Sequence, residues 1–503
     1  MGEPSVADDV IAWLREGGPW GGEKPEVVET HAALVFLTGE RAFKLKKSVN
    51  LGYLNFSTLE VRRSTLEREL VLNRRTAPSI YLQTLPVTQT GVQFVLGGEG
   101  TPVEWLLEMQ RFASEALLSK LWARGLLTEQ MIEKLARHVA RFHEEVPVVN
   151  SCDWEAAVAR VARENAQDLR SIQDVFDGEM LEAAIAARER LMLACGPVLK
   201  EQSQDVRHCH GDMHLGNVFL NGDEPTLFDC IEFDDFYAII PPLYDLAFLL
   251  MDLLTCGEHR LANRALNAWL NARDTSHWLG TMSSLAALPL YLTLRAEIRA
   301  KTEARRAGGA LKARNYLEQA LSYASPGRAL LVAVGGLSGT GKSTLAKAIA
   351  WRLKGPAGAV HLRTDEIRKR LAGVPIDKQL ASSSYTPESS ARVYASMLEL
   401  ARAAVEAGVP VVVDAVFSKE SERGEFERIA RELNVQFTGI WLEAPASVLE
   451  ARLAGRKGDA SDADVAVLHR QLAYEVGGIK WQRFDASVSP SDVERSVLTL
   501  LDL

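Results

Sequence analysis

Two sets of residues in this chain of 503 have the types and spacing to handle a triphosphate, and they follow different logics. In the first, His210, Gly211 and Asp212 are followed by Asn217 and then by Asp229, which ends the short apolar run TLFD. A carboxylate and an amide at that spacing suit a loop in which Asp212 takes the proton of an acceptor hydroxyl and Asn217 holds Mg²⁺, with Asp229 as the second metal ligand. In the second set, residues Gly336 to Ser343 match G-x-x-x-x-G-K-[ST]. Gly336, Gly339 and Gly341 let the backbone N–H groups of the loop, those of Ser338 and Thr340 among them, turn inward around phosphate oxygens. Lys342 then reaches the β and γ phosphates, and Ser343 holds Mg²⁺ through its hydroxyl. Thr344 carries the chain into a helix whose positive end points at the nucleotide.

These residues need particular elements to position them. Residues 329–334, ALLVAV, form a short apolar run suited to a buried parallel strand, and the glycine loop and the helix TLAKAIAWRL follow in the required order. VHLRTDEIRKRL, residues 360–371, reads as a second strand ending in Asp365 with Arg368 one helical turn on, and VPVVVDAVF, residues 409–417, as a third ending in Asp414. In a doubly wound parallel sheet the carboxyl ends of the strands face the ligand crevice. Asp365 is therefore expected to orient an acceptor hydroxyl, and Asp414 to hold a Mg²⁺-bound water. The stretch ARLAGRKGDASDADV, residues 451–465, resembles a mobile lid, with Arg452 and Arg456 closing on the phosphoryl group.

This second set, over about residues 328 to 503, is similar to small-molecule kinases of the P-loop class: gluconate kinase, adenylate-kinase-like enzymes, zeta-type toxins and the kinase half of polynucleotide kinases. The first set looks like the aminoglycoside phosphotransferase and choline kinase group, which keeps H-G-D-x-x-x-x-N and a later metal-binding aspartate. That resemblance spans roughly residues 25 to 325 and implies a protein-kinase-like fold of two lobes. YDLAFLL, residues 244–250, resembles the group's segment in which Asp245 braces the catalytic loop. The small lobe fits as well. Residues 31–47 alternate on both sides of a Thr38-Gly39-Glu40 turn and read as a β-hairpin, and residues 58–75 read as a charged helix. Lys44 is the expected partner of the α and β phosphates, with Lys46 on the same face by the two-residue period. Glu69 is its expected ion-pair partner, and Glu67 the next choice.

The fold class is thus a multidomain α/β chain: residues 1–326 as the phosphotransferase-like domain, with a small lobe over about 25–108 and a large lobe over about 109–325, and residues 327–503 as the P-loop domain. SYASPGR, residues 322–328, marks the junction. Hydrophobic content of 47% and charged content of 24% are globular values, and a net charge of −9 opposes a general nucleic-acid surface. Five cysteines without paired spacing, an acidic start and the absence of a long uncharged run point to a cytoplasmic protein with no membrane segment. Both sets imply ATP and Mg²⁺, and two kinase sites that phosphorylate hydroxyls of sugar-, amino-sugar- or nucleoside-like acceptors. Arg295, Arg299, Arg305 and Lys312 suggest an anionic acceptor, against the alternative of a solvated helix face. The rival reading is a P-loop ATPase or polynucleotide 5′-kinase regulated by an amino-terminal pseudokinase that senses nucleotide.

Overall fold

The computed structural model describes residues 6–50, 54–150, 152–172, 174–325, 327–376, 378–380, 382–455 and 461–503. They divide into two compact units. One takes the residues up to 135 with 145–149 and 207–245, and the other takes 136–144, 150–206 and 246 onward.

In the first unit an antiparallel sheet runs in the order β1-β2-β3-β6-β4-β5. Its strands are β1 (Glu26–Glu29), β2 (Ala33–Thr38), β3 (Arg41–Lys46), β4 (Tyr81–Thr90), β5 (Gln93–Leu96) and β6 (Thr101–Gln110). β2 and β3 are the expected hairpin, with Leu34 opposite Leu45 and Thr38 opposite Arg41. The two-residue period sorts β3 by chemistry. Phe43 and Leu45 join a core with Leu34, Phe36 and Val87, which Val10 and Leu14 of α1 (Val6–Arg15) complete. Lys44 and Lys46 are left on the other face, where α2 (Leu59–Asn73) packs against β4 and β6. Thr58 caps α2 by accepting the Val61 N–H.

The stretch from about 110 to 324 is mainly helical but not wholly so. Besides α3 (Leu118–Ala123), the first unit holds two antiparallel pairs, β7 (Arg207–His208) with β10 (Ile239–Ile240), and β8 (Val218–Asn221) with β9 (Glu224–Leu227). Strands of two to four residues are too short to show a period of their own. They fix the ends of the loop that carries Asp212 and Asn217. The remaining helices of this stretch are α4 (Glu129–Glu145), α5 (Trp154–Arg170), α6 (Gly178–Gln202), α7 (Pro242–Thr255), α8 (His259–Ala272), α9 (Trp278–Ser284), α10 (Leu288–Ala304) and α11 (Ala310–Tyr323).

The second unit also contains a parallel sheet in the order β12-β13-β11-β14-β15. It is built from β11 (Leu330–Gly336), β12 (Val360–Arg363), β13 (Val411–Asp414), β14 (Gln436–Glu443) and β15 (Gln482–Asp485). The helices are α12 (Lys342–Ala350), α13 (Thr364–Leu371), α14 (Pro387–Glu406), α15 (Glu420–Glu432), α16 (Ala446–Ala454), α17 (Val465–Leu472) and α18 (Pro490–Leu500). Val332, Val334, Val412, Ile440 and Leu442 of the sheet pack on Leu345, Ala346 and Ile349 of α12. Wholly apolar central strands are what a sheet covered on both faces requires. One boundary differs from expectation: β12 ends at Arg363, and Asp365 stands in the first turn of α13. Among the described residues no helix is long and apolar enough to cross a membrane.

Candidate active sites

The first site assembles on the lysine face of β3. Lys44 Nζ lies 2.6 Å from Glu69 Oε1 of α2 and 2.6 Å from Asp229 Oδ1. Lys46 pairs with the other oxygen of Glu69 at 2.6 Å and with Glu232 at 2.5 Å. Both candidate lysines therefore share one glutamate, and contact with Asp229 separates them in favour of Lys44. Glu67 points elsewhere and pairs with Arg63 along its own helix. Burial alone would lower the Lys44 ammonium, but Asp229, Glu69 and Glu232 hold it well above its ordinary value. Desolvation would raise Asp229, and Lys44 pulls it below the usual carboxylate range instead. Glu232 goes the other way, because its burial outweighs the attraction of Lys46.

Asp229 has a left-handed backbone, at φ +59, which is costly for a residue with a side chain. Its neighbours hold it there: its N–H donates to the Tyr81 hydroxyl at 3.0 Å, and the Cys230 N–H donates to Asn73 Oδ1 at 2.9 Å. The Asp212 loop is fixed just as firmly. Asp245 accepts the N–H groups of His210 and Gly211 at 3.0 and 2.8 Å, as the resemblance implied. His210 lies 3.0 Å from the Phe228 carbonyl, and burial lowers its pKa so that the ring is neutral near pH 7. Asn217 Nδ2 donates to the main-chain and side-chain oxygens of Asp212, both at 3.0 Å. With its nitrogen so used, the amide oxygen of Asn217 is the atom able to hold a cation. Asp212 itself is partly exposed.

The second site forms where β11 and β13 end. Gly336, Gly339 and Gly341 take φ of +140, +86 and +87, and a Cβ at Gly336 would lie 2.4 Å from the Leu442 carbonyl. Lys342 Nζ donates to the Leu337 carbonyl at 2.9 Å, lying back across the loop. Ser343 Oγ donates to Asp414 Oδ1 at 3.2 Å, so the expected hydroxyl and carboxylate meet. Burial would raise Asp414, but the hydrogen bond with His361 and the charges of Arg363 and Lys342 hold it down at about 2. Asp365 is pushed up by burial, against the pull of Arg363. Two nearby carboxylates are thus shifted in opposite directions. Arg452 Nη1 reaches the Gly339 carbonyl at 3.5 Å, while Arg456 lies outside the described residues. Thr344 sits in the first turn of α12.

Several site residues escaped the sequence reading. His361 and Arg363, two apart on β12, reach Asp414, with Nε2 at 2.8 Å and Nε at 3.5 Å. Polar residues at period two in a buried parallel strand were the available signal. Gln471 of α17 accepts the Ser338 N–H at 2.8 Å and so occupies a donor of the phosphate cradle. Removing that competitor, Gln471→Ala should tighten Mg·ATP binding at this site about three- to tenfold, the worth of one modest hydrogen bond. Calorimetry would show it, and weaker binding would mean that Gln471 helps to hold the nucleotide. The cations of α10 and α11 meet partners within the fold: Arg295 stacks on Phe248, Arg299 and Lys312 pair with Glu303, and Arg305 pairs with Asp168.

Residues 100–279 match the Phosphotransferase enzyme family, and residues 331–475 match an AAA domain family. An uncharacterized protein of Mycobacterium tuberculosis (strain H37Rv) is 30% identical over 477 residues, covering 90% of this chain and 91% of that protein. The adenylyl-sulfate kinase of Myxococcus xanthus is 32% identical over 117 residues, 23% of this chain and 59% of that enzyme. Among solved structures, a choline/ethanolamine kinase family protein from Mesorhizobium loti is similar over 64% of this chain and 99% of its own, at 12% identity and a TM-score of 0.37. A gluconokinase from Sinorhizobium meliloti is similar over 35% of this chain and 92% of its own, at 25% identity and a TM-score of 0.25.

Proposed function

We propose that this phosphotransferase, which belongs to the same family as the Mycobacterium tuberculosis protein and joins a phosphotransferase-family domain to a P-loop kinase domain, carries two separate Mg·ATP-dependent kinase sites. Each transfers the γ-phosphate to a hydroxyl of a small-molecule acceptor. The observation that supports the reading is that a lysine and two carboxylates stand together in both places. Lys44, Asp229 and Asp212 form the first set, and Lys342, Asp414 and Asp365 the second.

The donors fit Mg²⁺. Asn217 and Asp229, like Ser343 and Asp414, offer hard oxygens, and that ion prefers such ligands. When bound, it neutralises phosphate charge during in-line transfer. The chain does the rest. Glu69 orients Lys44 toward the α and β phosphates, and Asp245 holds the Asp212 loop so that its carboxylate faces the acceptor hydroxyl. In the second site the glycine loop presents N–H groups, Lys342 swings from the Leu337 carbonyl to the β and γ phosphates, and Arg452 and Arg456 supply further cations. Asp365 accepts the acceptor proton.

That last role has a pH signature. Asp365 must be ionised to act, so kcat/KM at the second site should fall as pH drops through its raised pKa, with an acid limb centred above that of an ordinary aspartate. A pH–rate profile on the Asp212→Asn chain, in which the first site is silent, measures it. A limb at or below the ordinary aspartate value removes Asp365 from the role.

The reading as a whole is tested with an acceptor panel on the full chain, silencing one site at a time with Asp212→Asn or Lys342→Ala. Sugars, amino sugars, nucleosides, aminoglycosides and 5′-hydroxyl oligonucleotides belong on it, and the likeness to an adenylyl-sulfate kinase adds adenylyl sulfate. Two acceptors, each lost with a different substitution, support two kinase sites. Acceptor phosphorylation that survives Asp212→Asn in every case favours a nucleotide-sensing first half.

A further inference from the structure

Helix α8 carries Asn263, Asn267 and Asn271 at four-residue spacing, which puts them on one stripe. Asparagine is a poor helix former because its amide competes for backbone groups, so three on one face of a 14-residue helix need a reason outside it. The reason is β12. This is an edge strand of the parallel sheet, with backbone groups that no neighbouring strand satisfies. Asn263 Nδ2 donates to the carbonyls of Ala357 and Ala359 at 2.8 and 2.9 Å. Asn267 Nδ2 donates to the Ala359 carbonyl at 3.1 Å, and its Oδ1 accepts the His361 N–H at 2.7 Å. Gly358, at φ +76, permits the approach, since a Cβ there would lie 2.7 Å from Asn263 Nδ2. Asn271 turns instead to α13 and donates to Glu366 Oε2 at 2.6 Å.

Two of these contacts lead to the same carboxylate. His361, held by Asn267 through its backbone, places Nε2 2.8 Å from Asp414 Oδ2. Glu366, held by Asn271, accepts from Arg363 Nη1 at 3.1 Å, and Arg363 Nε lies 3.5 Å from that same Asp414 oxygen. The other oxygen of Asp414 faces Ser343 of the glycine loop. His361, Arg363, Glu366 and Asp414 are all buried, so each orientation is set by its partners and not by water.

We propose that Asn267 and Asn271 are positioning residues of the P-loop site: helix α8, from the phosphotransferase part of the chain, orients the two side chains that aim Asp414 at the metal. The inference rests on the reading of the glycine loop as a Mg·ATP site. It makes the second site dependent on a helix that its own sheet does not contain, so a fragment beginning at residue 327 lacks part of its metal-binding apparatus.

The test uses the full chain with the first site silenced by Asp229→Ala, titrating Mg²⁺ against binding of a non-hydrolysable ATP analogue by calorimetry. Asn267→Ala and Asn271→Ala should each raise the Mg²⁺ midpoint about tenfold, a usual loss for groups that orient a metal ligand, while affinity in EDTA stays within about twofold. Asn271→Asp, which sets a carboxylate against Glu366, should do at least as much. Asn271 stands in the last turn of α8, where alanine is tolerated. Asn263→Ala loses two contacts with the segment just before β12 but no link to Asp414, and should leave the midpoint unchanged. A parental midpoint in both Asn271 variants overturns the assignment, and so does a shift in Asn263→Ala as large as theirs, since docking alone would then explain it. If the Asp229→Ala parent shows no nucleotide binding that Lys342→Ala removes, the Mg·ATP reading itself fails and the positioning role goes with it.

Discussion

Asp212→Asn should slow phosphoryl transfer at the first site by about 10²- to 10⁴-fold while leaving Mg·ATP affinity there within a few-fold. The substitution is nearly isosteric, and an asparagine oxygen can still accept the hydrogen bond that Asn217 Nδ2 gives the side chain, so the loop keeps its shape. Its main-chain supports, Asp245 to the N–H groups of His210 and Gly211, are untouched. What disappears is the basic oxygen that receives the hydroxyl proton. Nucleotide affinity is expected to hold because Lys44, Glu69 and Asp229, the proposed phosphate and metal side of the site, pair with one another. The measurement is single-turnover transfer to whichever acceptor the panel assigns to this half, beside a nucleotide titration. A rate within a factor of a few of the parent would show that Asp212 is not the base. A collapse of nucleotide binding would show that the change had damaged the loop instead.

How far the sequence disclosed this follows from how local each feature is. The glycine loop and the Asp212 loop are contiguous strings in which spacing alone encodes geometry, and both formed with the expected neighbours. The hairpin of β2 and β3 was equally legible, since alternation and a Thr-Gly-Glu turn determine it. The choice between Lys44 and Lys46 was not. They share a face and even a partner, Glu69, and they are told apart by Asp229, which lies 185 residues away. Glu232 was hidden for the same reason, as its role depends on a lysine brought from another strand. The short pairs β7–β10 and β8–β9 left no period to read. The surroundings of Asp414 were least visible of all. His361 and Arg363 meet it because β12 and β13 run parallel with Arg363 opposite Asp414, a register that no single stretch of sequence contains. Besides the period-two polar residues of β12, the stripe of asparagines on α8 is a signal that something polar has to be met there, and its target lies more than ninety residues downstream.

Lys342→Ala should abolish the second site as an enzyme while sparing the first. The lysine donates to the Leu337 carbonyl and stands within the field of Asp414 and Asp365. Loss of one charge-assisted contact costs about 1.5–3 kcal/mol, so Mg·ATP affinity should fall about 10- to 100-fold. Transfer should fall further, by at least 10²- to 10³-fold, because a fixed cation gains most from charge that develops in the transition state. The remaining cradle, the loop N–H groups with Ser343 and Asp414, explains why binding weakens before it vanishes. Calorimetry with a non-hydrolysable ATP analogue and Mg²⁺ separates the sites. The parent should show two binding events, Lys342→Ala should retain one, and Lys44→Ala should retain the other. A single event in the parent that Lys342→Ala removes completely would leave Lys44, Asp229 and Asp212 as a charge cluster without a nucleotide, and the two-site reading would not survive it.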